Sequence, residues 1–397
     1  MTRPSRRDTA SFAVIVALLL ALSPAWAEDP YDLHAVLSLT GAGAFLGQEE
    51  QQALQLAEGV VNRGGGIHGR TVRFVFYDDQ TNPQLAVQLA KQIIATRPAL
   101  ILGSSLVASC NAMAPLMQEG PVLYCFSPGI HPPAGSYVFT SGVSTRDQAD
   151  ALLRYFRLRG WKRIAIVTST DATGQDADRG FDELLGRSEN RDVVAVEREH
   201  FNSTDVSVAA QIERIKGARP DALVVWSTGT PVATVLRGLV QAGLELPVGT
   251  TGGNMTYAQM RNFANFLPQR LFLPSPAWAV RDEKRIPLPE AVMTKQRDFY
   301  GAYEAEGKEP DEGSTLGWDP VQILVDALRA LPADADAAAL RSYLLHLKGA
   351  AGVNGIYDFE ASPQRGLSLQ QTLVTRWNPA RDHWDVVAEP TGIPLEQ

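Results

Sequence analysis

Between Leu33 and Asp79 the chain writes out one complete β-α-β unit, and the residues beyond Asp79 repeat its grammar. Leu33 to Leu39 is an aliphatic run short enough for a buried strand, and the glycine-rich Thr40–Gly47 succeeds it as a turn. From Gln48 to Val61 no Gly or Pro occurs before Gly59. Ala53, Leu54, Ala57, Val60 and Val61 fall at i, i+3, i+4 spacing, which predicts a helix with one apolar stripe. Asn62-Arg63-Gly64-Gly65-Gly66 ends it. Val72, Phe74 and Phe76 then alternate through a second strand that closes on Asp78 and Asp79. Units of this kind assemble into a parallel sheet with helices on its faces.

Two local readings of the glycine turn compete. Gly41, Gly43 and Gly47 after a strand, with an acid ending the next strand, have the ingredients of a dinucleotide fingerprint, in which helix N-terminal amides hold a pyrophosphate. The spacing is GxGxxxG rather than GxGxxG, and the acid lies about ten residues further on than the roughly 20 that the fingerprint expects. The plainer reading is a turn that needs glycine and a helix that needs a start.

A larger set of residues supports a third reading. Gly41, Gly47, Asn62, Gly65-Gly66-Ile67-His68-Gly69, Tyr77-Asp78-Asp79 and Pro83 together resemble the opening of the branched-chain amino-acid-binding family of type I periplasmic binding proteins. The resemblance continues through most of the chain. It implies an α/β fold of two Rossmann-like lobes joined by three hinge crossings, closing on a small-molecule ligand. It also implies delivery to an ABC permease in the inner membrane, with no catalysis and no cofactor. A ligand-sensing receptor of the same fold is the alternative, and a nicotinamide oxidoreductase on the glycine turn is a third.

The βα rhythm places these lobes. Asn82 and Pro83 open a helix, 98–103 is a third strand, Ser104-Ser105 opens a helix to about Glu119, and Val122–Phe126 is a fourth strand. Tyr137 to Ser141 carries the chain across. Strands and helices alternate again to about Thr250, and the proline-bearing run Leu273–Trp278 crosses back. Asn354-Gly355-Ile356 looks like a third crossing, with Tyr357 to Phe359 and two later strands completing the second lobe. The expected division is 28–141 with 276–354 for lobe one, and 142–275 with 355–397 for lobe two.

Arg3, Arg6 and Arg7 precede an apolar run from Phe12 to Leu22, and Ala25-Trp26-Ala27 supplies a cleavage site. This is the pattern of a secretory signal peptide cut after Ala27, so the expected location is periplasmic. The remaining chain is long enough for two domains. The net charge of −8 argues against a nucleic-acid partner. Nothing in the sequence specifies a dimer, so a monomer is expected.

Cys110 and Cys125 are the only cysteines. Both are expected at one rim of the first sheet, where an oxidising compartment would let them pair; two buried free thiols are the alternative. The six histidines show no metal-ligand spacing, and neither GxSxG nor HExxH occurs.

Parallel sheets bind ligands beyond the C-terminal ends of their strands. The turns 41–47, 104–109 and 127–131 share that rim, where the resemblance implies a Ser and amides for an amino acid's carboxylate and a Thr for its ammonium. This sequence departs from the pattern at those contacts. Leu106 and Val107 stand at the usual serine, with Ser104, Ser105 and Ser109 shifted, and Ile130-His131 after Gly129 replaces the usual Ala-Thr. Leu46 replaces an aromatic, and Thr173 a tyrosine. The acid expected to meet the ammonium is missing from Gly249-Thr250-Thr251-Gly252-Gly253-Asn254. An ammonium buried without an opposing acid costs several kcal/mol. His131, Thr228, Thr230, Thr250 and Thr251 suit a carboxylate or amide, while Phe45, Leu46, Val107 and Ile130 suit an apolar body. Trp226 and Trp278 are further aromatic candidates. The expected ligand is therefore an uncharged or monoanionic organic solute, with an amino acid as the family default.

Overall fold

The computed structural model describes residues 29–281 and 283–395, so the leader expected at 1–27 lies outside the described residues. The chain first lays down β1 (Tyr31–Leu37), α1 (Ala44–Arg63), β2 (Val72–Asp78), α2 (Pro83–Ile94), β3 (Leu100–Gly103), α3 (Val107–Met113), β4 (Val122–Cys125) and β5 (Val138–Thr140). They form one sheet in the order β2-β1-β3-β4-β5, with every pair parallel. β3 and β4 are buried along their whole length, as aliphatic strands covered by helices on both faces must be. Asn82 caps α2 by accepting from the Gln84 and Leu85 amides, with Pro83 at the first helical position. The helix expected from Ser104 to Glu119 is shorter. α3 stops at Met113 and Pro115 sits in a 3-10 turn, because proline lacks the N–H and clashes with the preceding turn.

The second sheet is built from α4 (Thr145–Leu158), β6 (Arg163–Ser169), α5 (Ala172–Leu185), β7 (Val194–Phe201), α6 (Ala209–Ala218), β8 (Ala222–Trp226), α7 (Val232–Gln241), β9 (Val248–Gly249), α8 (Tyr257–Asn262) and β10 (Leu271–Ser275). The chain then returns to the first sheet through α9 (Glu290–Glu304), α10 (Glu312–Ala330), α11 (Ala337–Leu345) and the hairpin of β11 (Lys348–Gly352) and β12 (Gly355–Asp358). β13 (Leu373–Asn378), β14 (His383–Glu389) and β15 (Ile393–Pro394) finish the second sheet, whose order is β15-β14-β13-β10-β9-β8-β6-β7. Strands β6 to β10 run parallel and the last three antiparallel.

The hairpin corrects the expected third crossing. Val353 and Asn354 form the hairpin turn, and among the described residues β12 pairs only with β11. Tyr357 stacks on Phe359, which meets Phe139 of β5 edge-on. Asp319 in α10 accepts from the Val353 and Asn354 amides and the Tyr357 hydroxyl at 2.8, 3.0 and 2.9 Å. These contacts hold Tyr357 to Phe359 against the first sheet, and the chain passes to the second only afterwards. Burial pushes the Asp319 carboxyl up to about 6.

α10 packs along α1 through two glycines one turn apart. A Cβ at Gly313 would lie 2.9 Å from Glu49 Cβ and 3.0 Å from Leu46 Cδ1, and one at Gly317 would lie 3.4 Å from the Glu50 carbonyl. The absence of side chains there lets the helix backbones approach. Pro320 interrupts α10 and cannot donate to the Leu316 carbonyl one turn earlier. The Ser141 hydroxyl donates to it instead, at 2.8 Å. The first crossing is thereby pinned to a helix of the returning segment.

Candidate functional site

The C-terminal strand ends of the two sheets face each other. On the first sheet, the two acids ending β2 shape the glycine turn. Asp78 accepts from the Leu39, Thr40 and Gln80 amides and from the Thr40 hydroxyl. Asp79 accepts from the Ser38 and Ser104 hydroxyls at 2.8 and 2.6 Å and from the Thr81 amide. Gly47 is required by close approach, since its Cβ would lie 2.3 Å from the Ser38 carbonyl oxygen. The features that suggested a dinucleotide fingerprint are thus spent on the turn itself, and neither acid is left for a ribose.

The rims are in contact. A Cβ at Gly229, after β8, would lie 2.6 Å from Phe45 Cε1, and one at Gly129 would lie 2.7 Å from Val107 Cγ2, 3.2 Å from Thr145 Oγ1 and 3.4 Å from Asp176 Oδ2. His131 of the first rim pairs with Asp176 of α5 at 2.7 Å. Burial raises the Asp176 carboxyl, but the His131 bond and charge, the Thr145 hydroxyl and Arg179 together hold it below the usual carboxylate range. Phe45, Gly129 and His131 therefore lie along one seam. Thr173 and Thr228 are half-buried, whereas Thr230 is exposed; none of these three hydroxyls bonds to another described residue.

Other expected contacts are committed to the protein. Leu46 is buried in the α1–α10 seam rather than in the cleft. Val107 and Ile130 join Cys110 and Met113 in an apolar cluster beneath α3, where Ser109 is also buried. Ser105 accepts from the Ser38 amide and donates to Glu50. Glu50 is wholly buried, and burial with the nearby Asp79 charge holds its carboxyl well above the usual range despite the Ser105 bond. Thr250 accepts from the Asn254 amide group at 2.9 Å, while Thr251 donates to Gln148 and caps the Gly253 amide. Trp226 is core, edge-on to Phe181, and Trp278 donates its indole N–H to buried Glu312.

Several residues that organise the rims were missed by sequence reasoning. Asn254 accepts from the Gly229 amide at 3.0 Å and donates to the Ser227 carbonyl at 2.8 Å, tying two rim turns together. Arg365 is buried and donates to the carbonyls of Ile130 at 2.8 Å and Gly142 at 3.0 Å, clamping a rim turn to the first crossing. Burial lowers its pKa to about 10, which leaves it cationic at neutral pH. For Asn254 the local signal is the Gly-Gly-Asn of 252–254; the partners of Arg365 lie more than 200 residues away along the chain. Cys110 and Cys125, expected at this rim with pairing as one of two outcomes, form a disulfide that joins α3 to the end of β4, directly beneath the 104–109 and 127–131 turns.

Two α/β units whose strand ends meet across a closed seam, with crossings clamped to the rim, define a hinged solute-binding protein. A family model described as periplasmic binding protein matches residues 35–381, and the chain belongs to that family. It is a binding protein of the branched-chain amino-acid-binding type, not an enzyme. A Leu/Ile/Val-binding protein of Citrobacter freundii is 23% identical over 305 residues, covering 75% of this chain and 81% of the relative. Among solved structures, a branched-chain amino acid transporter substrate-binding protein of Streptococcus pneumoniae, in complex with isoleucine, superposes with a TM-score of 0.75 at 18% identity, covering 90% of this chain and 99% of the other. A fatty acid ABC transporter substrate-binding protein of Thermomonospora curvata superposes with a TM-score of 0.75 at 18% identity, covering 93% of each chain. No described helix is long and apolar enough to cross a membrane.

Proposed function

We propose that this protein is the periplasmic receptor of an ABC importer and that its solute is an organic carboxylate or amide without an ammonium group. The observation that carries this reading is the state of the carboxylates around the seam. Asp78 and Asp79 are saturated by the glycine turn, and Asp171 caps α5 through the Thr173 and Gly174 amides. Asp176 shares its Oδ1 between His131 and Arg179, and its Oδ2 is buried without a hydrogen-bond partner among the described residues. Burial and the Asp79 charge hold the Glu50 carboxyl well above its usual range, and Ser105 already donates to it. Of these acids, a zwitterionic ligand would have only the Asp176 carboxylate, already shared by His131 and Arg179, to meet its ammonium, and burying a charge so poorly matched costs several kcal/mol. The half-buried hydroxyls of Thr173 and Thr228 suit a carboxylate or amide oxygen, and the Phe45 ring suits an apolar body. That one protein of this fold is named for fatty acids supports the fold's capacity for an ammonium-free acid.

The test compares leucine with 4-methylpentanoate, the same body without the ammonium, by calorimetric titration of protein stripped of endogenous ligand. The acid is expected to bind at least ten-fold more tightly. Tighter binding of leucine would overturn the reading. Native mass spectrometry of gently isolated protein, with release of any bound mass, would then name the natural solute.

A further inference from the structure

A second groove lies at the opposite ends of the strands from the rims. Trp161 lies two residues before β6 and Arg270 directly precedes β10, and with Arg159 at the end of α4 and Arg376 on β13 they border a cavity of about 420 Å³. Its floor is aromatic: Trp161 meets Phe272 and Tyr155 at centroid distances of 5.6 and 6.2 Å. The guanidinium groups of Arg159 and Arg270 lie 6.0 and 5.7 Å from the Trp161 ring centroid.

The charge balance of this groove runs against that of the chain, whose net charge is −8. Among the described residues, five arginines and two carboxylates line it. Asp385 is shared by Arg381 at 3.0 Å and Arg376 at 3.7 Å, and Glu283 is paired with Arg285. Arg159 and Arg270 have no carboxylate within salt-bridge reach among the described residues. A solvated surface normally intersperses both signs. Here two unneutralised guanidinium groups flank an aromatic platform in a cavity of the size that small ligands occupy. Guanidinium offers planar, bidentate recognition of carboxylate and phosphate, and an indole face offers stacking.

We propose that this groove is a second binding site, separate from the cleft, for a small ring-bearing organic dianion. One acidic group is held by Arg159 and the other by Arg270, with the ring against Trp161. The groove shares no residue with the rims, so this inference stands whether or not the cleft prefers an ammonium-free solute.

The test is calorimetric titration of the whole protein with benzene-1,4-dicarboxylate, trans-cyclohexane-1,4-dicarboxylate, inorganic phosphate and a hexa-aspartate peptide. The aromatic diacid is expected to bind at least five-fold more tightly than its saturated counterpart and more tightly than phosphate. The double variant Arg159→Gln/Arg270→Gln is expected to weaken it at least ten-fold. Both arginines are exposed, so the variant folds. Binding that survives in the variant, equal binding of the two diacids, or no binding to the parent protein at millimolar probe would overturn the proposal. Preferential capture of the acidic peptide, lost in the variant, would overturn it too and assign the groove to a protein partner.

Discussion

Ser141 gives its hydroxyl to the Leu316 carbonyl because Pro320 has no N–H to give. This pair predicts a coupled mutational effect. Ser141→Ala leaves a buried carbonyl without a donor, at a cost of about 1–2 kcal/mol. Pro320→Ala restores the helical donor, so the same Ser141→Ala change should cost about 1 kcal/mol less in that background. Urea unfolding of the four proteins measures the difference, and an identical cost in both backgrounds would refute the link. At this scale the sequence is legible where the backbone sets the demand. The Asn82–Pro83 helix start is read correctly because local geometry alone requires those residue types, whereas Gly47, expected in the turn, lies within α1, which starts at Ala44, and is required by its approach to the Ser38 carbonyl. Thr250 and Thr251 look available in the sequence, yet Thr251 is claimed by Gln148, 103 residues away, and Thr250 by Asn254. Composition of a turn does not reveal which of its hydroxyls the protein has already used.

The N-terminus of α10 is the element with the strongest electrostatic tension. Asp311 and Glu312 are both buried there, with Glu49 of α1 alongside. Burial pushes Glu312 up to about 8, against the opposing Trp278 bond, and burial with the Glu49 charge raises Asp311 well above its usual range. A carboxyl whose folded pKa is raised binds its proton more tightly in the folded state. Its contribution is complete below the unfolded value of 4.5 and is lost as pH rises through about 8. Stability should therefore fall between pH 5 and pH 8, by on the order of 1.4 kcal/mol per pH unit for each such proton. Glu312→Gln keeps an acceptor for the Trp278 N–H and removes the proton, so its stability should depend less steeply on pH across that window. Denaturant midpoints at pH 5, 6.5 and 8 test this, and a parent protein that gains stability over the range would contradict it. The burial of its first two acids is not legible in the sequence, because Met255, Tyr257 and Trp278 reach it from the second sheet and the crossing.

For the whole molecule, the βα rhythm foretells two sheets and their order of construction, since each unit announces itself locally. The return path is less legible. β11 and β12 are short and glycine-bearing, and only the long-range grip of Asp319 and Phe139 shows that they stay with the first sheet. Closure is likewise a property of distant residues, and it can be tested. If His131–Asp176 latches the seam, His131→Ala removes one charge-assisted bond whose His side is half exposed, worth about 1 kcal/mol after solvent screening. Small-angle scattering should then show a larger radius of gyration, and the affinity for whichever acid the cleft prefers should fall about five-fold. The apolar contacts offer a competing account with a different signature. Gly229 has φ of +90° and its Cβ would meet Phe45 at 2.6 Å, so Gly229→Ala should wedge the rims apart more strongly than the histidine change. If Gly229→Ala opens the molecule while His131→Ala leaves both scattering and affinity unchanged, shape complementarity holds the lobes together and the ion pair is a consequence of closure. If both variants open it, the pair and the packed seam share the work, and solute binding must supply enough differential affinity to tip that shared equilibrium toward the closed form.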